Sequence, residues 1–155
     1  MTVTRLSLLA AGALFLCGLA PLAAAEPKTA EDYYKAGQTF RAAKQYDKAK
    51  DSFETAALLD GRCLKAHVAL AWVDNETGDY RGAAAAALTA VLIDSDSADG
   101  WRELGYAEYR QGEYSLAKKA LQVAVQLNPS DAASRHYLDA VKKQLGEDAD
   151  TAAKK

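Results

Sequence analysis

The sequence contains little proline and little cysteine, with three prolines and two cysteines among its 155 residues. Scarce proline together with abundant alanine favours helices over strands, because proline breaks helices and alanine is the best helix former. The cysteines lie far apart, and the two histidines, His67 and His136, stand alone, so no spacing typical of a metal site is present. We therefore expect no metal and no other cofactor.

An excess of charge of either sign is also absent, since 19 Lys and Arg residues are balanced by 21 Asp and Glu residues. Proteins dominated by binding to nucleic acid or to an anionic membrane are usually basic, so neither kind of partner is favoured. The sequence also has no recognisable nucleophile–base pair or phosphate-binding loop. We expect a protein without catalysis, without a small-molecule substrate and without nucleic-acid binding.

The first 25 residues differ from the rest of the chain. One positive charge precedes the uncharged apolar run "LSLLAAGALFLCGLA", and small residues follow it up to Ala25. This three-part pattern predicts a secretory signal peptide over residues 1–25, cleaved after Ala25, and hence a periplasmic or secreted protein. The run is short for a retained membrane anchor. A lipoprotein processed at Cys17 is the other alternative, although Leu16 stands where the bacterial lipobox normally has a small residue.

A period of 34 residues runs through most of the remaining sequence. Blocks 30–63, 64–97 and 98–131 align without a gap, and each carries a tyrosine and two alanines in register. The matching positions are Tyr46, Tyr80 and Tyr114; Ala49, Ala83 and Ala117; and Ala56, Ala90 and Ala124. Three such blocks predict a solenoid, because one helix pair cannot bury its apolar face alone and a stack of about three can.

The third block, which contains "WRELGYAEYRQGEYSLAKKALQVAVQLNPS", most closely resembles the tetratricopeptide repeat (TPR). The residues at the signature places are Trp101, Leu104, Gly105, Gly112, Tyr114, Ala117, Ala124 and Pro129. Glu108 departs by replacing a usual tyrosine. The second block departs most, because His67, Asp74 and Ala87 replace bulky residues, which predicts that the middle repeat is the least tightly packed. The resemblance implies an all-α fold, a right-handed α-solenoid of three helix-turn-helix units.

The repeats define the domain organisation. Residues 26–29 form a short leader, and residues 30–145 form the TPR domain. The predicted helix pairs are 30–43 with 46–60, 64–77 with 80–94, and 98–111 with 114–128. Residues 132–145 are amphipathic, with Leu138, Val141 and Leu145 on the apolar side, and predict a helix that caps the open end of the stack. Residues 146–155 have no apolar periodicity and predict a disordered tail.

In a TPR stack the first helix of each pair lines the concave surface, and its consensus residues face the second helix. Trp101 holds a consensus place and is predicted to lie in the core. Trp72 lies on the neighbouring face, where it either anchors a partner in the groove or folds back against helix 98–111. Residues on the same face of the three first helices form the predicted groove: Tyr34, Gln38, Arg41, Val68, Trp72, Asn75, Arg102, Tyr106 and Tyr109.

The best-known TPR groove chemistry clamps the C-terminal carboxylates of chaperones with Lys, Asn and Arg. This sequence has Tyr34 and Gln38 where such a clamp offers Lys and Asn, so an extended or helical segment with apolar anchors is the expected ligand. The resemblance implies a non-catalytic protein–protein interaction module, a scaffold or assembly factor in the bacterial envelope. The alternative is a structural role, in which the stack ends or the convex face drive self-association.

Overall fold

The computed structural model describes residues 29–147, which form seven α-helices and no strand. The helices are α1 Ala30–Ala42, α2 Tyr46–Leu59, α3 Leu64–Thr77, α4 Tyr80–Ile93, α5 Ala98–Gln111, α6 Tyr114–Leu127 and α7 Ala132–Gln144. The all-α helical-repeat fold that the period predicts is confirmed. The predicted signal peptide, the alternative lipidation site at Cys17 and the part of the predicted tail from residue 148 onward lie outside the described residues.

Polar side chains begin several of the helices. Thr29, assigned to the leader on sequence grounds, is the N-cap of α1 and forms a capping box with Asp32, in which each side chain accepts a hydrogen bond from the other residue's backbone N–H. Asp79 caps α4, Ser97 caps α5 and Asp131 caps α7 in the same way through backbone N–H groups of the first turn. These N–H groups have no carbonyl partner within the helix, so the caps stabilise the starts of α1, α4, α5 and α7.

The turns inside the repeats share one left-handed residue. Gly78 ends α3 with φ of 87° and Gly112 ends α5 with φ of 84°, a conformation that glycine adopts without steric cost. Lys44 occupies the equivalent place after α1 with φ of 57°, which is uncommon for a residue with a side chain. All three repeats therefore reverse direction through a left-handed residue, although only two of them carry glycine there.

The two helices of a repeat approach each other closely. A Cβ atom added to Gly37 in α1 would lie 2.5 Å from Cε1 of Phe53, and one added to Gly105 in α5 would lie 2.6 Å from Cγ of Leu121. The second repeat has Ala71 at the same register position, and that residue is fully buried. A small residue at this place lets a large side chain of the second helix pack directly onto the backbone of the first.

The core is divided into clusters that join each repeat to the next element. One cluster between repeats one and two contains Ala49, Phe53, Ala69 and Val73. The cluster between repeats two and three contains Ala71, Ala87, Val91, Leu104 and Ala120. The cluster beneath α7 contains Ala117, Leu121, Leu138 and Val141. Helix α7 thus covers the open end of the third repeat. None of the helices between residues 29 and 147 has the length and apolar character needed to cross a bilayer.

The first residues of the predicted tail continue the contacts of the fold. Lys118 of α6 forms an ion pair with Glu147, with 2.7 Å between Nζ and a carboxylate oxygen. Gly146, with φ of 73°, makes the turn that brings Glu147 back towards α6. The ion pair therefore joins Glu147, at the start of the predicted tail, to α6.

The middle repeat contains an ion pair where a bulky residue was expected. Asp74 is buried, and its Oδ1 lies 2.6 Å from Nζ of Lys50, which also lies 3.2 Å from Oδ2 of Asp79. Burial raises the pKa of Asp74, and the Lys50 ammonium partly opposes that effect. Because Lys50 belongs to α2 and Asp79 caps α4, one ammonium group links both repeats at the position where apolar bulk is missing.

Glu108 in the third repeat forms no ion pair with a described residue, unlike Asp74. Its Oε2 atom is buried and has no hydrogen-bond partner among residues 29–147. Burial, and to a lesser extent repulsion from Glu113, raises the pKa of Glu108 to about 7. The carboxyl group is thus held partly protonated at neutral pH, because the site favours the uncharged form.

We predict that the stability of the protein falls as pH rises from about 5 to about 8, and that Glu108→Gln makes this fall smaller. The folded state holds the Glu108 proton up to a pKa of about 7, whereas the unfolded chain releases it near its ordinary value of 4.5. The stabilisation is therefore complete below the unfolded pKa and is lost as pH passes through the folded pKa. Urea unfolding midpoints measured across this pH range test the prediction.

Glu113→Gln is the matched control, since it removes only the weaker, electrostatic cause of the shift and should change the pH slope less than Glu108→Gln does. The quantity compared is the slope of the unfolding midpoint against pH. Asp74 and Glu103, the other buried carboxylates with raised pKa values, contribute equally to this slope in every variant. Identical slopes for the wild-type protein and Glu108→Gln would show that Glu108 ionises normally in the folded state.

Candidate functional site

The first helices of the repeats and α7 together form a concave groove. One part of it has a volume of about 330 Å³ and lies between α1, α3 and α5. A second part, of about 210 Å³, lies between α3, α5 and α7. Trp72, Arg102 and Glu103 line both parts, so the two are neighbouring sections of one surface, which we call the concave groove.

Most of the residues that the sequence placed in the groove do line it. The first section contains Tyr34, Gln38, Arg41, Val68, Trp72 and Arg102, and the second section adds Asn75 and Tyr106. Tyr109 lines neither section. Its ring lies 5.9 Å from that of Tyr114, and the partly buried side chain packs against the apolar cluster beneath α7.

Trp72 both lines the groove and packs against the first repeat. Its ring meets that of Tyr46 edge-on, with centroids 6.0 Å apart, and it borders the cluster that contains Phe53 and Val73. The Arg41 guanidinium lies 5.0 Å from the centre of the same ring. The sequence left open whether Trp72 lines the groove or folds back against helix 98–111. In the structure the ring is part of the groove wall, and it packs against Arg41 of α1 and Tyr46 of α2.

Trp101 packs as predicted for a consensus residue. It is partly buried against the cluster that contains Ala71 and Leu104. Its indole N–H donates a hydrogen bond of 2.8 Å to the backbone carbonyl of Ser95 in the preceding turn. The two tryptophans therefore occupy different environments, and only Trp72 lines the groove.

The α1 end of the groove presents an aromatic ring held by polar contacts. The Gln38 side-chain amide donates a hydrogen bond of 2.6 Å to the Tyr34 hydroxyl. The Lys65 ammonium lies 4.9 Å from the centre of the Tyr34 ring and is also paired with Glu31. The positive charge of Lys65 is thus already neutralised by a carboxylate of the protein, and the hydrogen bond from Lys65 lowers the pKa of Glu31.

Arg102 is bound by three carboxylates, which changes the role that the sequence suggested for it. Its guanidinium lies 2.6 Å from Oδ1 of Asp99, 3.0 Å from Oε1 of Glu103 and 3.3 Å from Oδ2 of Asp131. Asp131 is also the N-cap of α7, so the arginine joins α5 to the capping helix. A cation with this many internal partners has little capacity left for a ligand carboxylate.

Asn75 is buried rather than available at the groove surface, with 4% of its surface exposed. Its amide N–H₂ donates hydrogen bonds of 2.9 Å to Oε2 of Glu103 and 3.2 Å to the Glu103 backbone carbonyl. Burial raises the pKa of Glu103, and the hydrogen bond from Asn75 and the charge of Arg102 partly offset it. Asn75, Glu103 and Arg102 together form a polar cross-link from α3 through α5 to α7.

Among the groove residues that the sequence interpretation missed, Glu103 and Tyr137 contribute the most to its chemistry. The Tyr137 ring lies 4.6 Å from the ring of Tyr106, so the pair forms one aromatic wall of the second groove section. These two residues occupy the same register position, because residue 137 follows residue 103 by one 34-residue period. Extending the repeat register into the capping helix would have indicated that α7 contributes a side chain to the groove.

The described part of the chain offers no arrangement suited to a metal ion. Between residues 29 and 147 there is no group of three or more His, Cys, Asp and Glu side chains that could hold one. Cys63 is a free, buried thiol at the start of α3. The chemistry that the groove provides is therefore that of aromatic surface, hydrogen bonding and one uncompensated cation, Arg41, which has no carboxylate within ion-pair distance among these residues.

Comparison with known proteins identifies the family. Two models of the tetratricopeptide repeat match the chain, one over residues 30–63 and the other over residues 98–131. These are the first and third blocks of the period found in the sequence. Together with the helical architecture, the matches show that the chain belongs to the tetratricopeptide repeat family.

Solved structures of TPR domains have the same fold. The Sgt2 TPR domain from Aspergillus fumigatus superposes with a TM-score of 0.73 at 22% identity, covering 77% of this chain and 81% of that one. The first TPR of Spaghetti (RPAP3), bound to the HSP90 peptide SRMEEVD, has a TM-score of 0.74 at 16% identity, with coverages of 78% and 96%. The Yersinia enterocolitica type III secretion chaperone SycD, in complex with a peptide of the translocator YopD, has a TM-score of 0.67 at 17% identity, with coverages of 74% and 92%.

We predict that Arg102→Ala destabilises the protein by about 3 kcal/mol, because it leaves the buried Glu103 carboxylate without its cation. Arg41→Ala is the matched control: its guanidinium stacks on Trp72, and its loss should cost only about 0.5–1 kcal/mol. Urea unfolding of both variants measures the difference. Adding Glu103→Gln to Arg102→Ala should restore part of the stability, and equal costs for the two arginines would refute the structural role of Arg102.

Proposed function

We propose that the protein is a non-catalytic interaction module that binds a peptide or protein segment in its concave groove. The observation that carries this proposal is the series of rings along one surface, Tyr34, Trp72, Tyr106 and Tyr137, which α1, α3, α5 and α7 contribute in turn. Tyrosine and tryptophan supply large apolar contact area and a polar group, and they are enriched where binding energy is concentrated. Peptide complexes of similarly folded TPR domains, those of RPAP3 and SycD, support the same use of the fold.

The charges of the groove indicate what kind of segment it accepts. Lys65 is paired with Glu31 and Arg102 with three carboxylates, whereas Arg41 lies over the Trp72 ring and forms no ion pair within residues 29–147. A peptide rich in carboxylates would meet one available cation and the acidic groups that already hold Arg102. We therefore propose a segment with aromatic or aliphatic anchors and at most one carboxylate positioned for Arg41.

We further propose that the protein works after export, as a scaffold or assembly factor in the bacterial envelope. The support is the three-part N-terminal pattern, a positive charge, an apolar run and small residues before Glu26, which is typical of secretory signal peptides. A groove lined by aromatic rings suits a protein that brings other proteins together. A structural, self-associating role is the second candidate, and it is favoured by the convex face described in the next subsection.

We predict that Trp72→Ala weakens the binding of groove ligands by about thirtyfold, which corresponds to about 2 kcal/mol. Ligands are obtained by selecting a random peptide display library on the wild-type protein, and selected peptides should carry aromatic or aliphatic anchors. Their affinities for both proteins are then measured by calorimetry.

Leu116→Ala, at an exposed leucine of α6, is the control and should leave peptide affinity unchanged. Urea midpoints of the variants separate a lost contact from a lost fold, since Trp72 also packs on Tyr46. Selected peptides that bind the wild-type protein and a folded Trp72→Ala variant equally well would exclude Trp72 as a groove anchor.

We predict that the protein isolated from its native envelope begins at Glu26 and carries no lipid. Intact-mass measurement of that protein decides the matter, because signal peptide cleavage and lipidation at Cys17 give different masses and different first residues. A diacylglyceryl group on a chain that begins at Cys17 would establish the lipoprotein alternative, and a mass that retains residues 1–25 would contradict cleavage.

A further inference from the structure

The outward face of α4 is apolar, although it is exposed to solvent. Helix α4 contains a single charged residue, Arg81, at its start, and alanine or leucine fills most of the rest. On its outer side Ala85 is exposed, Leu88 is 49% exposed and Leu92 is 78% exposed. A helix that is apolar on all sides is normally buried on all sides, so this face is expected to have a cover.

The spacing on this face is that of a helix–helix seam. Arg81, Ala85, Leu88 and Leu92 follow one another at intervals of four, three and four residues. This alternation is the one that keeps a line of side chains facing a second helix that runs along the first. Ala85 allows close approach, and the two leucines supply the apolar contact. The pattern therefore indicates that a helix lies lengthwise against α4.

The repeat register places charges on both sides of the seam. Asp51 of α2 and Lys119 of α6 hold the same register position as Ala85, and all three residues are exposed. One residue from each of α2, α4 and α6 thus forms a row across the convex face, and this row is acidic, apolar and basic in turn. Neither Asp51 nor Lys119 takes part in an ion pair within residues 29–147. The next row contains Glu54, Leu88 and Gln122, and the one after it contains Leu58, Leu92 and Gln126.

We propose that this convex face binds a second copy of the chain, as a dimer whose two-fold axis runs parallel to α4. Such an axis brings the two α4 seams together side by side in parallel, and it places α2 of one copy over α6 of the other. Asp51 then faces the partner's Lys119, and the same contact forms twice, because a two-fold interface is self-complementary.

The charges distinguish this arrangement from the other face-to-face dimer. A two-fold axis across the helices would place α2 over α2 and bring each Asp51 close to the partner's Asp51, and likewise lysine to lysine. Like charges at these positions oppose association at two contacts. The axis along α4 makes two attractive contacts instead and brings one like-charged pair together, the two exposed Arg81 side chains at the start of the seam. The balance of charges therefore favours the axis along α4. The convex face lies on the opposite side of the solenoid from the concave groove, so the dimer leaves both grooves free for ligands.

The dimer is tested by light scattering and sedimentation of the purified protein over about a hundredfold range of concentration. We expect a dimer for the wild-type protein. The Leu88→Lys and Leu92→Lys variants should each associate at least about tenfold more weakly than the wild-type protein. Leu59→Lys is the matched control and should leave the dimer intact. The exposed fraction of Leu59, 54%, is similar to that of Leu88. Leu59 lies about 100° around α2 from Leu58, however, and so outside the three rows of the convex face. Far-ultraviolet circular dichroism verifies that each variant is folded.

A charge exchange tests the orientation. Asp51→Lys and Lys119→Asp should each weaken the homodimer, because each places like charges opposite one another at both contacts between positions 51 and 119. An equimolar mixture of the two variants should associate again, since every contact in the mixed dimer joins a lysine to an aspartate. A monomeric wild-type protein at all concentrations, a dimer that resists both leucine substitutions, or a mixture that does not associate would each overturn the proposal.

Discussion

The two helices of a repeat approach each other so closely that a large side chain of the second helix packs where the first helix has a glycine or an alanine. Phe53 lies over Gly37 and Leu121 lies over Gly105, with Ala71 at the equivalent place in the middle repeat. This contact sets the angle and separation of each pair, and the clusters between pairs then determine how the repeats stack. The groove and the convex face both follow, since they are the two sides of the same stack.

Three carboxylates, Asp74, Glu103 and Glu108, are buried or half-buried, and their charges are accommodated in different ways. Asp74 has Lys50, and Glu103 has Arg102 and Asn75, so burial of each charge is offset by a partner. The buried Oε2 atom of Glu108 has no hydrogen-bond partner within residues 29–147, and burial raises the pKa of Glu108 to about 7 instead. The compensated acids join α2 to α3 and α3 to α5, and so they tie neighbouring repeats together.

The two faces of the solenoid have different chemistry because different helices form them. The concave groove collects rings from α1, α3, α5 and α7, and most of its charges are neutralised within the protein. The convex face belongs to α2, α4 and α6, and one row of its outer residues, Asp51, Ala85 and Lys119, changes from acidic to apolar to basic along the stack. A module with an aromatic groove on one side and a self-complementary surface on the other could present two ligand sites in one assembly.

The sequence alone determined the fold, because the period, the register of small residues and the helix caps are local or periodic features that need no knowledge of side-chain contacts. It also placed most of the groove, since residues at fixed register share a helix face. Only the tertiary structure decided which of these side chains are available: Asn75 and Arg102 bind Glu103, Tyr109 packs under α7, and Tyr137 joins Tyr106. The physical reason is that helical periodicity gives the direction of a side chain, whereas its burial and its partners depend on residues brought near by the neighbouring repeats.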